Sequence, residues 1–94
     1  VRATTSDGTV VKARVALDVA DNVAKSAIQR NVQQVGLLLE VSIAQQTRAQ
    51  IGSTQGIPRL AEDMRDRLNE YLDGDTQAPP VKSVAIQDLL VKPQ

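Results

Sequence analysis

Hydrophobic positions along this chain recur at every second residue, then at every third or fourth, then at every second again. Between Val10 and Val19, the set Val11, Ala13, Val15, Leu17 and Val19 alternates with Val10, Lys12, Arg14, Ala16 and Asp18. A period of two puts one set on a core and the other toward water or a partner, which predicts a β-strand. Ser6-Asp7-Gly8 is a turn signal between this strand and Val1–Thr5, so the pair predicts a hairpin with a short first arm.

Helical signals start at Asp21-Asn22, either of which can accept a backbone N–H as a cap. No proline interrupts the chain from there to Ile51. The positions Val23, Ala27, Ile28, Val32, Val35, Leu38, Leu39, Ser42 and Ile43 fall close to i, i+3/i+4 spacing. Gly36 costs about 1 kcal/mol relative to Ala in a helix interior. Residues 21–51 therefore predict two helices with a bend in Asn31–Gly36, one continuous helix being the alternative.

Gly52–Gly56 is a polar break. Ser53 is one candidate cap for the next helix; a start nearer Gly56 is the other, and it keeps Pro58 in the first turn. That helix presents Ile57, Leu60, Ala61, Met64, Leu68, Tyr71 and Leu72 on one face. Glu62, Asp63, Arg65, Asp66, Arg67 and Glu70 lie opposite, with Asp63 and Arg67 at the i, i+4 spacing of a stabilising pair. Gly74 is read as the stop, and Ala78-Pro79-Pro80 as a stiff entry to the last strand.

In Val81–Val91 strict alternation puts Val84, Ile86 and Leu90 with Lys82 and Asp88, and Val81, Ala85, Leu89 and Val91 on the other side. A strand apolar on both faces predicts a central position in a sheet. The expected architecture is α+β, in the order ββ-α-α-α-β: a small antiparallel or mixed sheet with three helices packed on one side.

Ninety-four residues make one domain, residues 1–94, with room for one modest core. Eleven basic and eleven acidic residues cancel, which argues against a nucleic-acid partner, and the single aromatic, Tyr71, leaves no platform for stacking bases. With no Cys and no His, the chain lacks disulfides, thiolate metal ligands and the commonest general base. The longest apolar run, Val35–Leu39, is far short of the ~20 residues that span a bilayer. Val1 begins in mid-pattern, so the chain reads as an excised domain, with any membrane anchor expected upstream.

Three groups invite a chemical reading. Glu62, Asp63, Asp66 and Glu70 supply carboxylates, but alternating arginines point to a solvated charged face. Gly52–Gly56 faintly resembles a phosphate loop, yet it lacks the Lys-Ser/Thr ending and follows a helix; a turn is the better account. Asp73, Asp75 and Asp88 lack the spacing of a calcium loop. The sequence predicts no catalytic residue, no metal and no cofactor.

Leu37, Leu38 and Leu39 are the candidate protein–protein interface. Three consecutive leucines on a helix span more arc than one buried stripe needs. They are either sandwiched between sheet and helix, or part of an apolar strip that packs on another subunit.

From Val10 to the C-terminus the residue order resembles the periplasmic domain of the flagellar basal-body-associated FliL family. The strand V-K-A-R-V-A-L-D-V resembles that family's long strand, and A-Q-Q-T at Ala44–Thr47 its small-polar-Thr segment. Ile51 followed by S-T-Q-G resembles the entry to its next helix. L-N-E-Y-L at Leu68–Leu72 resembles the end of that helix, and V-A-I-Q-D-L-L-V its final strand. Gly36-Leu37 stands where the family often has Arg-Asp, and Leu89 or Leu90 where it has an aromatic, so a FliL-like paralogue such as MotF is the alternative within this resemblance.

The resemblance implies a fold similar to the stomatin/prohibitin (SPFH) domain. It also implies a non-enzymatic protein that supports motility and chemotaxis. Its partners would be further copies of itself, in a ring, and the plug and linker region of the flagellar stator B subunit. It would be the periplasmic domain of a single-pass inner-membrane protein at the basal body, held to the membrane by an upstream helix. A general stomatin-like membrane scaffold is the second expectation. A small hydrolase or ligand-binding domain is the third, and would require a concave pocket with converging polar groups.

Overall fold

The computed structural model describes residues 1–73 and 79–92, with the side chain of Asp73 outside that description. Its elements are β1 (Arg2–Thr4), β2 (Val10–Val19), α1 (Asn22–Arg30), α2 (Val32–Ala44), α3 (Arg48–Gly52), α4 (Gly56–Asp73) and β3 (Val81–Lys92). The α+β class and the order of strands and helices match the reading of the sequence. The number of helices does not: there are four among the described residues, where three were expected.

The extra helix is α3, cut from the stretch read as helical up to Ile51. Thr47 and Gln50 form a reciprocal capping box. Thr47 Oγ1 accepts from the Gln50 N–H at 3.1 Å, and Gln50 Oε1 accepts from the Thr47 N–H at 2.8 Å. This T-x-x-Q pattern satisfies two backbone donors that a helix start leaves unpaired, so it starts a new helix here. Upstream, Asp21 caps α1 by accepting from the Ala24 N–H at 2.9 Å. The expected bend between α1 and α2 falls at Asn31, whose Nδ2 donates to the Ala27 C=O at 2.7 Å. Gly36 lies inside α2 and is not the breaking residue.

The α4 helix starts at Gly56 with Pro58 in its first turn. Ser53 instead closes α3, its Oγ donating to the Gln50 C=O at 2.8 Å. Gly74, read as the stop of α4, lies outside the described residues.

All three strands are antiparallel, in the spatial order β1-β2-β3. The central strand is β2, and β3 forms an edge, contrary to the expectation for Val81–Val91. The reason is a pair of irregularities in the β2–β3 register. Pairing passes from Arg14↔Asp88 to Val15↔Ile86, skipping Gln87, and from Asp18↔Ser83 to Val19↔Val81, skipping Lys82. Each extra residue shifts the side-chain alternation by one. As a result Val81, Val84, Ile86, Leu89 and Val91 all face the core, and Leu90 stands on the solvent side, 51% exposed.

The four helices close the other side. The α4 helix lies on β3 and against α2, and α2 also reaches β1. Val11, Val35, Leu39, Ile43, Ile51, Leu60, Met64, Leu68 and Val81 make one core. Leu60, Met64 and Leu68 repeat at i, i+4, i+8, so one stripe of α4 is fully buried, at about 1.5–3 kcal/mol per large side chain.

Candidate interaction surfaces

Three of the residues that carry the family resemblance, Thr47, Gly56 and Asn69, sit at or near the ends of helices and act inward. Asn69 of α4 pairs with both backbone groups of Val81 at the start of β3: Nδ2 donates to the C=O at 3.0 Å, and Oδ1 accepts from the N–H at 2.8 Å. Gly56, the glycine of S-T-Q-G, lies against the backbone of α3. A Cβ there would stand 2.1 Å from the Gln50 carbonyl oxygen and 2.5 Å from that of Ile51. The turn Gly52–Gly56 is therefore a tight joint between two helices. Thr47, which ends A-Q-Q-T, is the cap of α3.

The β1–β2 hairpin is tied to the same joint. Gly8 takes φ 86°, the left-handed conformation that glycine tolerates. Asp7 reaches across to the start of α3 and accepts from the Arg48 N–H at 3.2 Å, while the Ser6 N–H donates to the Gln46 C=O at 2.9 Å. The Thr5 hydroxyl donates to the Asp7 carboxylate. That bond, opposed by partial desolvation and helped by the Arg48 N–H and charge, holds the Asp7 carboxyl below its ordinary value.

The acids of α4 do not converge. Asp63 bonds Arg67 at 2.8 Å and Asp66 meets Arg65 at 3.3 Å, while Glu62 and Glu70 are exposed on the same face. Arg67 also donates to Gln45 at the end of α2. This is the solvated charged face that the sequence predicts. Asp88 lies on the outer face of the sheet, 3.7 Å from Arg14 and exposed like it. Asp75 and the Asp73 side chain lie outside the described residues. Among the described residues, no three His, Cys, Asp or Glu side chains come together as metal ligands.

The three leucines are not equivalent. Leu39 is a core residue, 5% exposed; Leu38 is half-buried and packs against the core; Leu37 is 52% exposed. Successive helix residues are turned by about 100°, so the run necessarily straddles the boundary between core and surface. One turn beyond Leu37, on the same side, Val41 is also exposed. Sequence reading missed Val41 because it weighed consecutive leucines rather than the i, i+4 neighbour of the outermost one. The exposed apolar row of α2 is thus Leu37 and Val41, with Leu38 at its margin.

The motif residues thus clamp helices and strand together, and α2 leaves Leu37 and Val41 uncovered. The family model for the flagellar basal body-associated protein FliL matches residues 1–91, and the chain belongs to that family. The family is one of flagellar structural and accessory proteins, not of known enzymes, and it is associated with the flagellar basal body and motor. No curated protein sequence gives a significant match. No helix among the described residues is long and apolar enough to cross a membrane.

Proposed function

We propose that this protein is a non-enzymatic component of the flagellar motor that acts in the periplasm, as one domain over residues 1–94. In this reading the domain self-associates into a ring and contacts the plug and linker region of the stator B subunit. It thereby supports the stator's active, ion-conducting state and the torque behind swimming. An upstream helix holds the protein in the inner membrane, and its architecture is of the stomatin/prohibitin kind, a sheet with helices packed on one face.

The observation that carries the reading is the FliL family match across residues 1–91. The uncovered row of Leu37 and Val41 on α2 supports self-association, because apolar side chains aligned on one helix face gain free energy when another subunit covers them. A membrane anchor raises local concentration, so weak contacts between domains suffice to build a ring while the free domain stays monomeric.

Deletion of the gene, with swimming and filament assembly scored separately, tests the proposal. Cells that keep filaments but swim poorly support the stator-associated role. Unchanged swimming moves the reading to a general stomatin-like membrane scaffold not tied to motility.

A further inference from the structure

The side of the sheet away from the helices carries its charges unevenly. Arg2 of β1, Lys12 and Arg14 of β2, and Leu90 and Lys92 of β3 are all exposed there. Register brings them together: Arg2 stands opposite Lys12, Lys12 opposite Leu90, Arg14 opposite Asp88 and Val10 opposite Lys92. A shallow depression of about 590 Å³ has Arg2, Lys12, Arg14, Asp88 and Leu90 in its lining. Four cations and one acid thus share one end of this face, in a chain whose charges sum to zero. Among the described residues, Arg14 alone of the four has an acidic partner, Asp88 at 3.7 Å, and both side chains are well exposed. Toward the other end the face turns small and polar, with Ala16, Asp18, Ser83 and Ala85.

Solvation alone is a poor account of this cluster. Like charges directly opposite on neighbouring strands cost stability, and Arg2 and Lys12 are such a pair. Lysines that guard a sheet against stray pairing belong on edge strands, whereas Lys12 and Arg14 sit on the central one. Exposed Leu90 stands among the cations, and half-buried Val10 lies opposite Lys92. We propose that this end of the sheet rests on a bilayer surface containing anionic phospholipid. Leu90 enters the headgroup region, and Arg2, Lys12, Arg14 and Lys92 meet lipid phosphates.

The chemistry of the patch selects lipid over other polyanions. Long Lys and Arg side chains lay their stems along apolar surface and keep the charge at the interface. A basic surface with an aliphatic centre is how proteins lie on anionic bilayers. Nucleic acid would leave Leu90 without an apolar partner, and the chain's single aromatic, Tyr71, belongs to α4 and not to this face. An extended acidic peptide draws its affinity from free backbone groups, and around Lys12 β2 is already paired on both sides, with β1 and β3. The sheet face looks away from the helices, so contact there leaves the exposed row of α2 available to another subunit. That a membrane lies within reach rests on the inner-membrane anchoring proposed above. Lipid contact is measured apart from motility, so either reading can fail alone.

The test is co-sedimentation of the purified chain with vesicles in about 0.1 M salt, where charges more than about 10 Å from the surface are screened. Vesicles of phosphatidylcholine and phosphatidylglycerol in equal parts should bind it, and phosphatidylcholine alone should not. Each cation beside an anionic surface contributes about fivefold in binding, so Arg2→Gln/Lys12→Gln should bind about 25-fold more weakly. Lys25→Gln/Arg30→Gln, an equal loss of charge on α1, should stay within about threefold of wild type. Leu90→Ser keeps every charge and should still weaken binding severalfold. Circular dichroism verifies that each variant is folded. The proposal is overturned by no binding to the anionic vesicles, by equal binding to both kinds, by equal losses in the two double variants, or by full binding of Leu90→Ser. Tighter binding to poly-glutamate than to the vesicles also overturns it, and assigns the face to an acidic polypeptide.

Discussion

The side chain of Asn69 in α4 acts as a one-residue strand for Val81, exchanging two hydrogen bonds of 2.8 and 3.0 Å with its backbone. A carboxamide has the same donor and acceptor as a peptide group, so it satisfies both polar groups of Val81, whose side chain is fully buried in the core. The end of α4 and the start of β3 are thus held together by one residue. Replacing Asn69 by Ala leaves both groups of Val81 without this partner, and should lower stability by about 2 kcal/mol in urea unfolding. An unchanged midpoint would show that water replaces the side chain at no cost.

Gly56, at the joint between α3 and α4, and Gly36, inside α2, should respond to alanine in opposite directions. Gly56→Ala drives a methyl group into the backbone of Gln50 and Ile51, which cannot rotate away, and should destabilise by about 1–3 kcal/mol or more. Gly36→Ala meets nothing within 4 Å in the interior of α2 and should stabilise by up to about 1 kcal/mol. Thermal unfolding of the two variants separates them.

Ser42 is fully buried in α2, and its hydroxyl has no hydrogen-bond partner. Among the apolar positions of the helix it fits by size and not by chemistry. Ser42→Ala removes an unsatisfied buried group and adds helix propensity, so it should raise stability by about 1 kcal/mol. A loss of stability would reveal a bound water that the hydroxyl needs.

The Asp7 carboxyl is held below its ordinary value of 3.8, chiefly by the Thr5 hydroxyl and further by Arg48. A carboxylate whose folded value is depressed adds stability that is fully present above its unfolded value. That stability is lost as the pH falls through the folded value. The wild-type protein should therefore lose an increment of stability below about pH 4 that Asp7→Asn does not lose. Parallel acid titrations of unfolding midpoint for the two proteins check this.

Much of the fold is legible in the sequence because simple periods write it. The second strand shows alternation on a regular, central β2, and the buried stripe of α4 shows i, i+4 spacing without a break. Where the reading fails, a local exception outweighs the period. In β3 two extra residues move apolar side chains to one face, so a strand at the sheet edge imitates a central one. Inside residues 21–51, the Thr47–Gln50 capping box ends one helix run and starts another, although its T-x-x-Q spacing was there to be read. Leu37, Leu38 and Leu39 were legible as a wider apolar arc than one buried stripe needs, either sandwiched or exposed, but not as a direction. Which leucine faces out depends on how α2 is rotated against β1 and α4, and that is set by residues distant in sequence. Asn69 gave no signal of its role, because its partner lies 12 residues away in the sequence.

The central claim, that this FliL-family protein works by assembly through the exposed row of α2, is tested most directly by the swimming of cells carrying Leu37→Asp at the native locus. Leu37 is 52% exposed, so the substitution leaves the core intact, which circular dichroism of the purified protein verifies. Glu62→Ala, on the solvated face of α4, serves as the control. The account predicts normal filaments, reduced swimming for Leu37→Asp and normal swimming for Glu62→Ala. Full swimming by a strain whose Leu37→Asp protein is folded and present at wild-type level would contradict it.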